Sequence, residues 1–362
     1  MRSPDFWYPK PGATDPLAVR LLQPLAHVYQ AGARLRTRLT KPAKVPVPVI
    51  CIGNLVAGGT GKTPLALMLA DRLLARGEAV HFLTRGYGGR ERGPLQVDHT
   101  RHIARDVGDE PLLLAAAAPT WVAANRVRGA QAAAHQASVL IMDDGFQNPS
   151  LHKDLSLLVV DSHTGFGNGR TLPAGPLREP PEAALARAQA LVMMGEGTGM
   201  EGGAAALADA AGARGLPVFH AHLDPEAHMA HKLEGMRLLA FAGIGRPEKF
   251  FATLRRLGAR VEETVAFADH HAYEPAEATQ LLARAAAMGT RLITTEKDRI
   301  RLAGAERGSP LARLEATTLV LPVRAAVDEA AALDTLIDGA LKAAFEGERR
   351  RRKKDDTPAE LL

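Results

Sequence analysis

Val56-Ala57-Gly58-Gly59-Thr60-Gly61-Lys62-Thr63 is the stretch on which the reading of this 362-residue chain turns. An apolar run from Val47 to Ile52, broken only by Pro48, precedes it with the length of a buried strand. Pro64-Leu65-Ala66-Leu67-Met68-Leu69-Ala70 follows, with Leu73 and Leu74 beyond, and reads as a helix over Pro64 to Arg76. Strand, glycine-rich turn and helix is the context in which Gly-Lys-Thr cradles phosphate. Gly58, Gly59 and Gly61 accept the dihedrals that turn backbone N–H groups inward, and the helix N-terminus adds attraction for anions. Lys62 is expected to reach the β- and γ-phosphates of a nucleoside triphosphate, and the Thr63 hydroxyl to take a position on Mg²⁺. The strict pattern has glycine where Val56 stands, so an ordinary glycine turn before a helix is the competing reading.

Ser138-Val139-Leu140-Ile141-Met142-Asp143-Asp144 supplies the second half of a nucleotide site. Four apolar residues ending in acid describe a buried parallel strand that delivers a carboxylate to its tip, where phosphoryl-transfer enzymes hold Mg²⁺. Adjacent carboxylates repel unless a cation sits nearby. A second strand, Ala79 to Thr84, runs into Arg85-Gly86-Tyr87-Gly88-Gly89 and puts an arginine and a tyrosine at the sheet edge where ligands bind. Gly108-Asp109-Glu110-Pro111 opens a helical run, Leu112 to Ala118, with acid and proline suited to its first turn. Asn125-Arg126 follows a short strand, Trp121 to Ala123. A strand from Asp154 to Asp161 leads into a loop, Gly165 to Pro180, of a length that is functional or mobile in compact domains, and its closing Arg178-Glu179 suits phosphate and metal chemistry.

Composition bounds the rest. With 46% hydrophobic residues the chain buries a large core, as two domains or one extended α/β unit. One cysteine, Cys51, excludes an internal disulfide, fits a reducing compartment and reads as a packing residue. The net charge of +5 is local: residues 1 to 44 carry eight Lys and Arg against Asp5 and Asp15, leaving the remainder near neutral. In that segment Leu17, Leu21, Leu25, Val28, Leu35 and Leu39 form one helical stripe, with a kink expected at Pro24. Interrupting charges exclude a transmembrane span and a secretory signal. With Phe6-Trp7-Tyr8 ahead of it and Arg34 to Lys44 behind, the stripe is expected to lie at an anionic membrane interface; packing on the protein's own core is the alternative. No reader motif supports nucleic-acid binding.

The later chain alternates strand and helix: strands at Ala190 to Met194, Leu238 to Ala242, Arg291 to Thr295 and Thr318 to Leu321, helices at Ala204 to Arg214 and Asp328 to Phe345. Gly243-Ile244-Gly245 lacks the third glycine of a dinucleotide fingerprint, and His220, His222, His228 and His231 lack metal-ligand spacing. Glu296-Lys297-Asp298 ends a strand, as site or solvent edge. The charged run from Glu346 is expected to be a disordered tail.

Gly53-Asn54-Leu55 through Gly-Gly-Thr-Gly-Lys-Thr-Pro, Arg85-Gly-Tyr, Gly108-Asp-Glu-Pro, Asp143-Asp-Gly-Phe-Gln147, Leu172-Pro-Ala-Gly-Pro-Leu-Arg-Glu179 and Asp269-His270 occur in this order over Trp7 to Leu321. In this the chain resembles the tetraacyldisaccharide 4′-kinases of lipid A assembly, which pass the ATP γ-phosphate to a disaccharide 4′-hydroxyl at the cytoplasmic face of the bacterial inner membrane. The resemblance implies Asp109 as catalytic base with His270 as partner, and Lys62 as a further catalytic group. It implies a triphosphate bound by Asn54, Gly58, Gly59, Thr60, Gly61, Lys62 and Thr63, with Arg85, Tyr87, Arg126, Gln147 and Arg178 lining the site. Thr63, Asp143, Asp144 and Glu179 are implied around Mg²⁺. Asn148 stands where the family often has histidine.

The expected architecture is α/β: an N-terminal amphipathic interface helix (1–44), a P-loop NTPase-like parallel sheet flanked by helices (45–235), a smaller C-terminal α/β lobe (236–345) and the tail (346–362). The partners implied are the lipid disaccharide and the membrane surface, with no nucleic acid and no obligatory protein. A membrane-recruited ATPase switch is the rival class, but its signature lysine before the two glycines is replaced by Ala57. A basic NTPase acting on nucleic acid ranks below both.

Overall fold

The structure, a computed structural model, describes residues 4–9, 16–195 and 203–355. Arg2, Lys10 and Asp15 of the basic N-terminal segment and residues 356–362 of the expected tail lie outside the described residues.

Thirteen strands are present among the described residues: β1 (Val49–Asn54), β2 (Val80–Thr84), β3 (Leu95–Gln96), β4 (Thr120–Val122), β5 (Val139–Asp143), β6 (Leu155–Asp161), β7 (Ala190–Met194), β8 (Val218–Pro225), β9 (Arg237–Ala242), β10 (Arg260–Ala266), β11 (Arg291–Thr295), β12 (Leu319–Leu321) and β13 (Val323–Val327). They form a nine-stranded sheet, ordered β13-β8-β7-β6-β1-β5-β2-β4-β3, and a four-stranded sheet, β10-β9-β11-β12. Pairing is parallel except at the two edges of the large sheet, β13 with β8 and β3 with β4. The central strands β1, β5, β6 and β7 are buried at every residue, as their unbroken apolar runs require when helices cover both faces. Because β1 lies between β5 and β6, the carboxyl ends of β1, β5 and β6 bring the cradle, Asp143 and Asp161 to one edge.

The C-terminal lobe differs from the expected 236–345. Its sheet closes at Leu321, and the chain then returns: β13 joins the large sheet, and Leu333, Ile337 and Leu341 of the last helix pack into the core beneath the helix Lys62–Leu74. Arg72 of that helix and Arg76, just after its end, pair with Asp334 at the same seam. The apolar i, i+4 spacing of the last helix has this destination, which no local pattern specifies. The helix begins at Ala330 and runs to Asp355, so the charged stretch expected to be disordered is helical through that point. Arg, Lys and Glu are good helix formers, propagation from a packed helix needs no new nucleus, and Arg351 pairs with Glu348 one turn away.

The N-terminal helix, Leu17–Leu39, continues through Pro24. It turns its polar residues inward: Gln30 donates to Thr171 Oγ1 (2.6 Å), Gln23 accepts from Arg170 (2.6 Å) and Arg36 donates to the Gln147 carbonyl (3.0 Å). Its stripe of Leu17, Leu21, Leu25, Val28, Leu35 and Leu39 faces outward and is exposed, so packing on the protein's own core is not what the stripe does. Trp7 departs from the expected aromatic interface cluster: it is half-buried and its indole N–H donates to the Pro173 carbonyl (3.2 Å), the partner a buried indole needs. The loop Gly165 to Pro180 is pinned by the same contacts, with Asn168 donating to the carbonyls of Phe6 and Ala174.

Candidate active site

The cradle links β1 to the helix Lys62–Leu74, with Gly58 at φ 139° and Gly61 at φ 83°, a backbone that side chains disfavour. A Cβ added at Gly58 or Gly59 would meet nothing within 4 Å, so the turn presents open backbone outward. Val56 does not need glycine's freedom: its φ is negative, it pairs antiparallel with Leu177, and its side chain joins the core. Asn54, buried at the end of β1, donates to the carbonyls of Val56 (2.8 Å) and Gly58 (3.2 Å) and so holds the turn from beneath. Thr60 Oγ1, Asn54 Oδ1 and Asp143 Oδ1 are buried without a hydrogen-bond partner among the described residues. Buried polar atoms normally find partners, so such orphans beside a phosphate cradle fit a ligand and its cation.

Thr63 Oγ1 donates to Asp143 Oδ2 (3.2 Å), which brings helix and strand tip together. Burial, reinforced by the charge of Glu110, pushes the Asp143 carboxyl up to about 7 despite Lys62 nearby. Asp144 has a left-handed backbone (φ 52°), and its carboxylate meets Arg178 Nη1 (2.6 Å) and Lys62 Nζ (3.6 Å). Burial raises its pKa, but Lys62 and Arg178 outweigh that and hold it at about 2. Gln147 donates to the Asn54 carbonyl (2.8 Å) and to Glu179 Oε1 (3.1 Å). Glu179 is further bound by Arg187, so its carboxylate is engaged by protein donors on both oxygens. No cluster of three or more His, Cys, Asp or Glu able to hold a metal ion occurs among the described residues. Mg²⁺ in nucleotide sites takes one or two carboxylates plus phosphate and water, which the Thr63 and Asp143 pair satisfies without such a cluster.

Arg126 is buried, with Nη1 donating to the Ala123 carbonyl and Nε without a hydrogen-bond partner among the described residues. Burial and the neighbouring Arg85 charge bring its guanidinium down to about 10. Asn148 accepts from the N–H and hydroxyl of Ser150, a turn contact that asks for no imidazole. Cys51 is packed as expected, its thiol pushed up to about 12 by burial. His220 pairs with Glu329, and His222 with Asp224 and Asp328, so these histidines are tied to acids.

Asp109 opens its helix beneath the left-handed Gly108, while His270 sits in the loop after β10 with φ 57°. His270 and Asp144 are the two non-glycine residues with left-handed backbone among the described residues, and strain of this kind collects where side-chain aim matters. His270 Nδ1 lies 3.2 Å from Asp109 Oδ2, and its ring stands 5.5 Å from that of exposed Tyr87. Burial favours the neutral Asp109 carboxyl, but the His270 hydrogen bond and the Arg301 charge hold it well below the usual range. The hydrogen bond to Asp109 in turn raises the His270 pKa. The two groups of residues share one cleft: Gly245, after β9, approaches both Asp269 and the Gly59 backbone, and Glu110 feels the charge of Lys62.

Sequence reasoning missed Arg301, which lies across the cleft from Asp109 and binds it. It also missed the ion pair of Lys297 with Glu110 (2.7 Å) and that of Asp161 with Arg246 and Lys249. The one available signal was Glu296-Lys297-Asp298 at a strand end.

A phosphate cradle after a buried strand, an acid at the tip of the next strand and a carboxylate–imidazole pair across the cleft define a P-loop phosphotransferase. A family model described as tetraacyldisaccharide-1-P 4′-kinase matches residues 18–342. The chain belongs to that family. A tetraacyldisaccharide 4′-kinase of Parvibaculum lavamentivorans is 56% identical over 345 residues, covering 95% of this chain and 99% of its own length. One of Rhodospirillum centenum is 52% identical over 341 residues, covering 93% and 96%. Among solved structures, LpxK from Aquifex aeolicus in complex with ATP matches with a TM-score of 0.67 at 28% identity, over 90% of this chain and 100% of that one.

Proposed function

We propose that this kinase transfers the γ-phosphoryl group of ATP to the 4′-hydroxyl of a tetraacyldisaccharide 1-phosphate, a step of lipid A assembly, at the cytoplasmic face of the inner membrane. The observation that carries this reading is the Asp109–His270 contact in the cleft that also holds the Gly58 to Thr63 cradle. Cradle N–H groups and Lys62 bind the triphosphate, and Arg178 with Lys62 offsets charge that spreads over the transferring group. Thr63 and Asp143 would hold Mg²⁺, which when bound would offset the negative charge of the triphosphate. Asp144, engaged by Lys62 and Arg178, keeps those cations aimed at the phosphates.

A sugar hydroxyl is a poor nucleophile. Asp109 serves as base, and His270, hydrogen-bonded to it, orients the carboxylate and shares the proton. Tyr87, whose ring stands 5.5 Å from that of His270, and buried Arg126 line the site. The outward apolar stripe of the helix Leu17–Leu39, with Arg34, Arg36 and Arg38 behind it, supports a protein that lies on an anionic bilayer. No helix among the described residues is long and apolar enough to cross a membrane. The reading needs no protein partner and no nucleic acid. It is tested by ADP formation with and without lipid disaccharide in mixed micelles: turnover should depend on the acceptor, and acceptor-independent turnover would reject the reading.

A further inference from the structure

Arg301 is nearly buried, with 5% of its side chain exposed, and every arm of its guanidinium is used. Nε donates to Asp109 Oδ2 (2.7 Å) and Nη2 donates to the same oxygen, while Nη1 donates to the Gly243 carbonyl and to Asp298 Oδ1 (2.9 Å). Asp298 is itself fixed: Oδ1 accepts from the Gly243 N–H (3.0 Å) and the Tyr273 hydroxyl (2.9 Å), and Oδ2 accepts from Thr295 (2.6 Å). These partners all belong to the small lobe, whereas Asp109 belongs to the large one. Ile300, the preceding residue, packs against the cluster of Val97, Val107, Leu112 and Val122, so the helix Glu296–Leu302 docks on the region that carries Asp109.

We infer that Arg301 is the positioning residue of the Asp109–His270 pair, a forked strut that fixes the base carboxylate from the opposite lobe and completes it only when the lobes meet. The inference rests on the reading of Asp109 as base. Two donors on Oδ2 from Arg301, with His270 Nδ1 on the same oxygen, leave Oδ1 with the Glu110 N–H (2.9 Å). The carboxylate is thus held at Oδ2 by side chains of the small lobe and at Oδ1 by a backbone N–H of its own helix. A planar fork achieves this and an ammonium does not, which makes lysine a poor substitute here. Lys297, paired with Glu110, and Asp269, 3.9 Å from His270 Nε2, are the other charges at the pair. Neither holds Asp109 in a hydrogen bond.

The test is steady-state kinetics of Arg301→Ala and Arg301→Lys beside Asp109→Asn, with melting curves and with guanidinium chloride added far below denaturing concentration. Misplacing a reacting group by an ångström costs about 10²-fold. Arg301→Ala should lose about that in kcat while KM for ATP stays within about threefold, and added guanidinium should restore part of the loss. Arg301→Lys should melt like the parent and still lose kcat. If Arg301→Ala turns over like the parent while Asp109→Asn is inactive, the strut is rejected and the base stands. If Asp109→Asn retains full turnover, both are rejected. A loss in Arg301→Ala that tracks a lowered melting temperature, unrescued by guanidinium and absent from Arg301→Lys, also rejects positioning.

Discussion

His270 Nδ1 and Asp109 Oδ2 stand 3.2 Å apart, although they lie 161 positions apart in sequence, one in the loop after β10 and the other at the start of a helix of the large lobe. A general base contributes about 10²- to 10⁴-fold to a transfer of this kind. Asp109→Asn and His270→Ala should each lower kcat within that range with little change in KM for ATP. Initial-rate measurements at saturating acceptor check this, and a variant that loses ATP affinity instead would assign the pair to nucleotide binding.

The same contact makes stability depend on pH in a definite way. The His270 pKa is raised chiefly by its bond to Asp109, so its contribution is full below the ordinary histidine value of about 6.5 and is lost as pH rises through the higher folded value. For Asp109, burial is overcome by His270 and Arg301, and the lowered pKa makes its contribution full above about 3.9, lost as pH falls through the folded value. The melting-temperature difference between the parent and His270→Gln should therefore be largest between about pH 4 and 6.5 and shrink towards pH 9. A difference that grows with rising pH would contradict the pairing.

Lys62 sits at the first turn of its helix, buried, with Nζ 3.6 Å from Asp144. Lys62→Ala should cost about 10²-fold or more in kcat, the scale seen when a charge-stabilising donor is removed. It should also abolish the rise in melting temperature that ATP with Mg²⁺ gives the parent, since a ligand stabilises only the state that binds it. An undiminished thermal shift would remove Lys62 from the triphosphate site.

Leu21, Leu25 and Val28 are exposed while their helix is held by Gln23, Gln30 and Arg36 on the other side. Replacing all three by serine should leave the fold and the ATP-induced thermal shift intact and weaken flotation with anionic vesicles. Unchanged flotation would mean that the stripe does not meet lipid.

Much of this was legible in the chain because it is local. A strand, a glycine turn and a helix are consecutive in sequence, and Asp143 closes an apolar run that can only be a buried strand. The kinship of Asp109 with His270 came from resemblance alone, since no spacing rule joins residues so far apart. Arg301 was invisible for a related reason: in Glu296-Lys297-Asp298-Arg299-Ile300-Arg301-Leu302 it reads as one charge on a solvated helix. Only the docking of that helix on Asp109 turns it inward. The return of β13 to the large sheet was equally hidden, because a strand's partner is set by tertiary packing and not by its alternation. The outward stripe of Leu17–Leu39 shows the reverse case, a pattern read correctly as amphipathic whose facing only the hydrogen bonds of Gln23, Gln30 and Arg36 decide.

The central claim is that the chain moves a phosphoryl group from ATP to one hydroxyl of a lipid disaccharide. Tandem mass spectrometry of the acceptor after incubation with ATP and Mg²⁺ tests it most directly. The acceptor should gain one phosphate, carried by the 4′-oxygen of the distal sugar, in the parent and at a much reduced rate in Asp109→Asn. An acceptor recovered without added phosphate, while ATP is consumed, would contradict it.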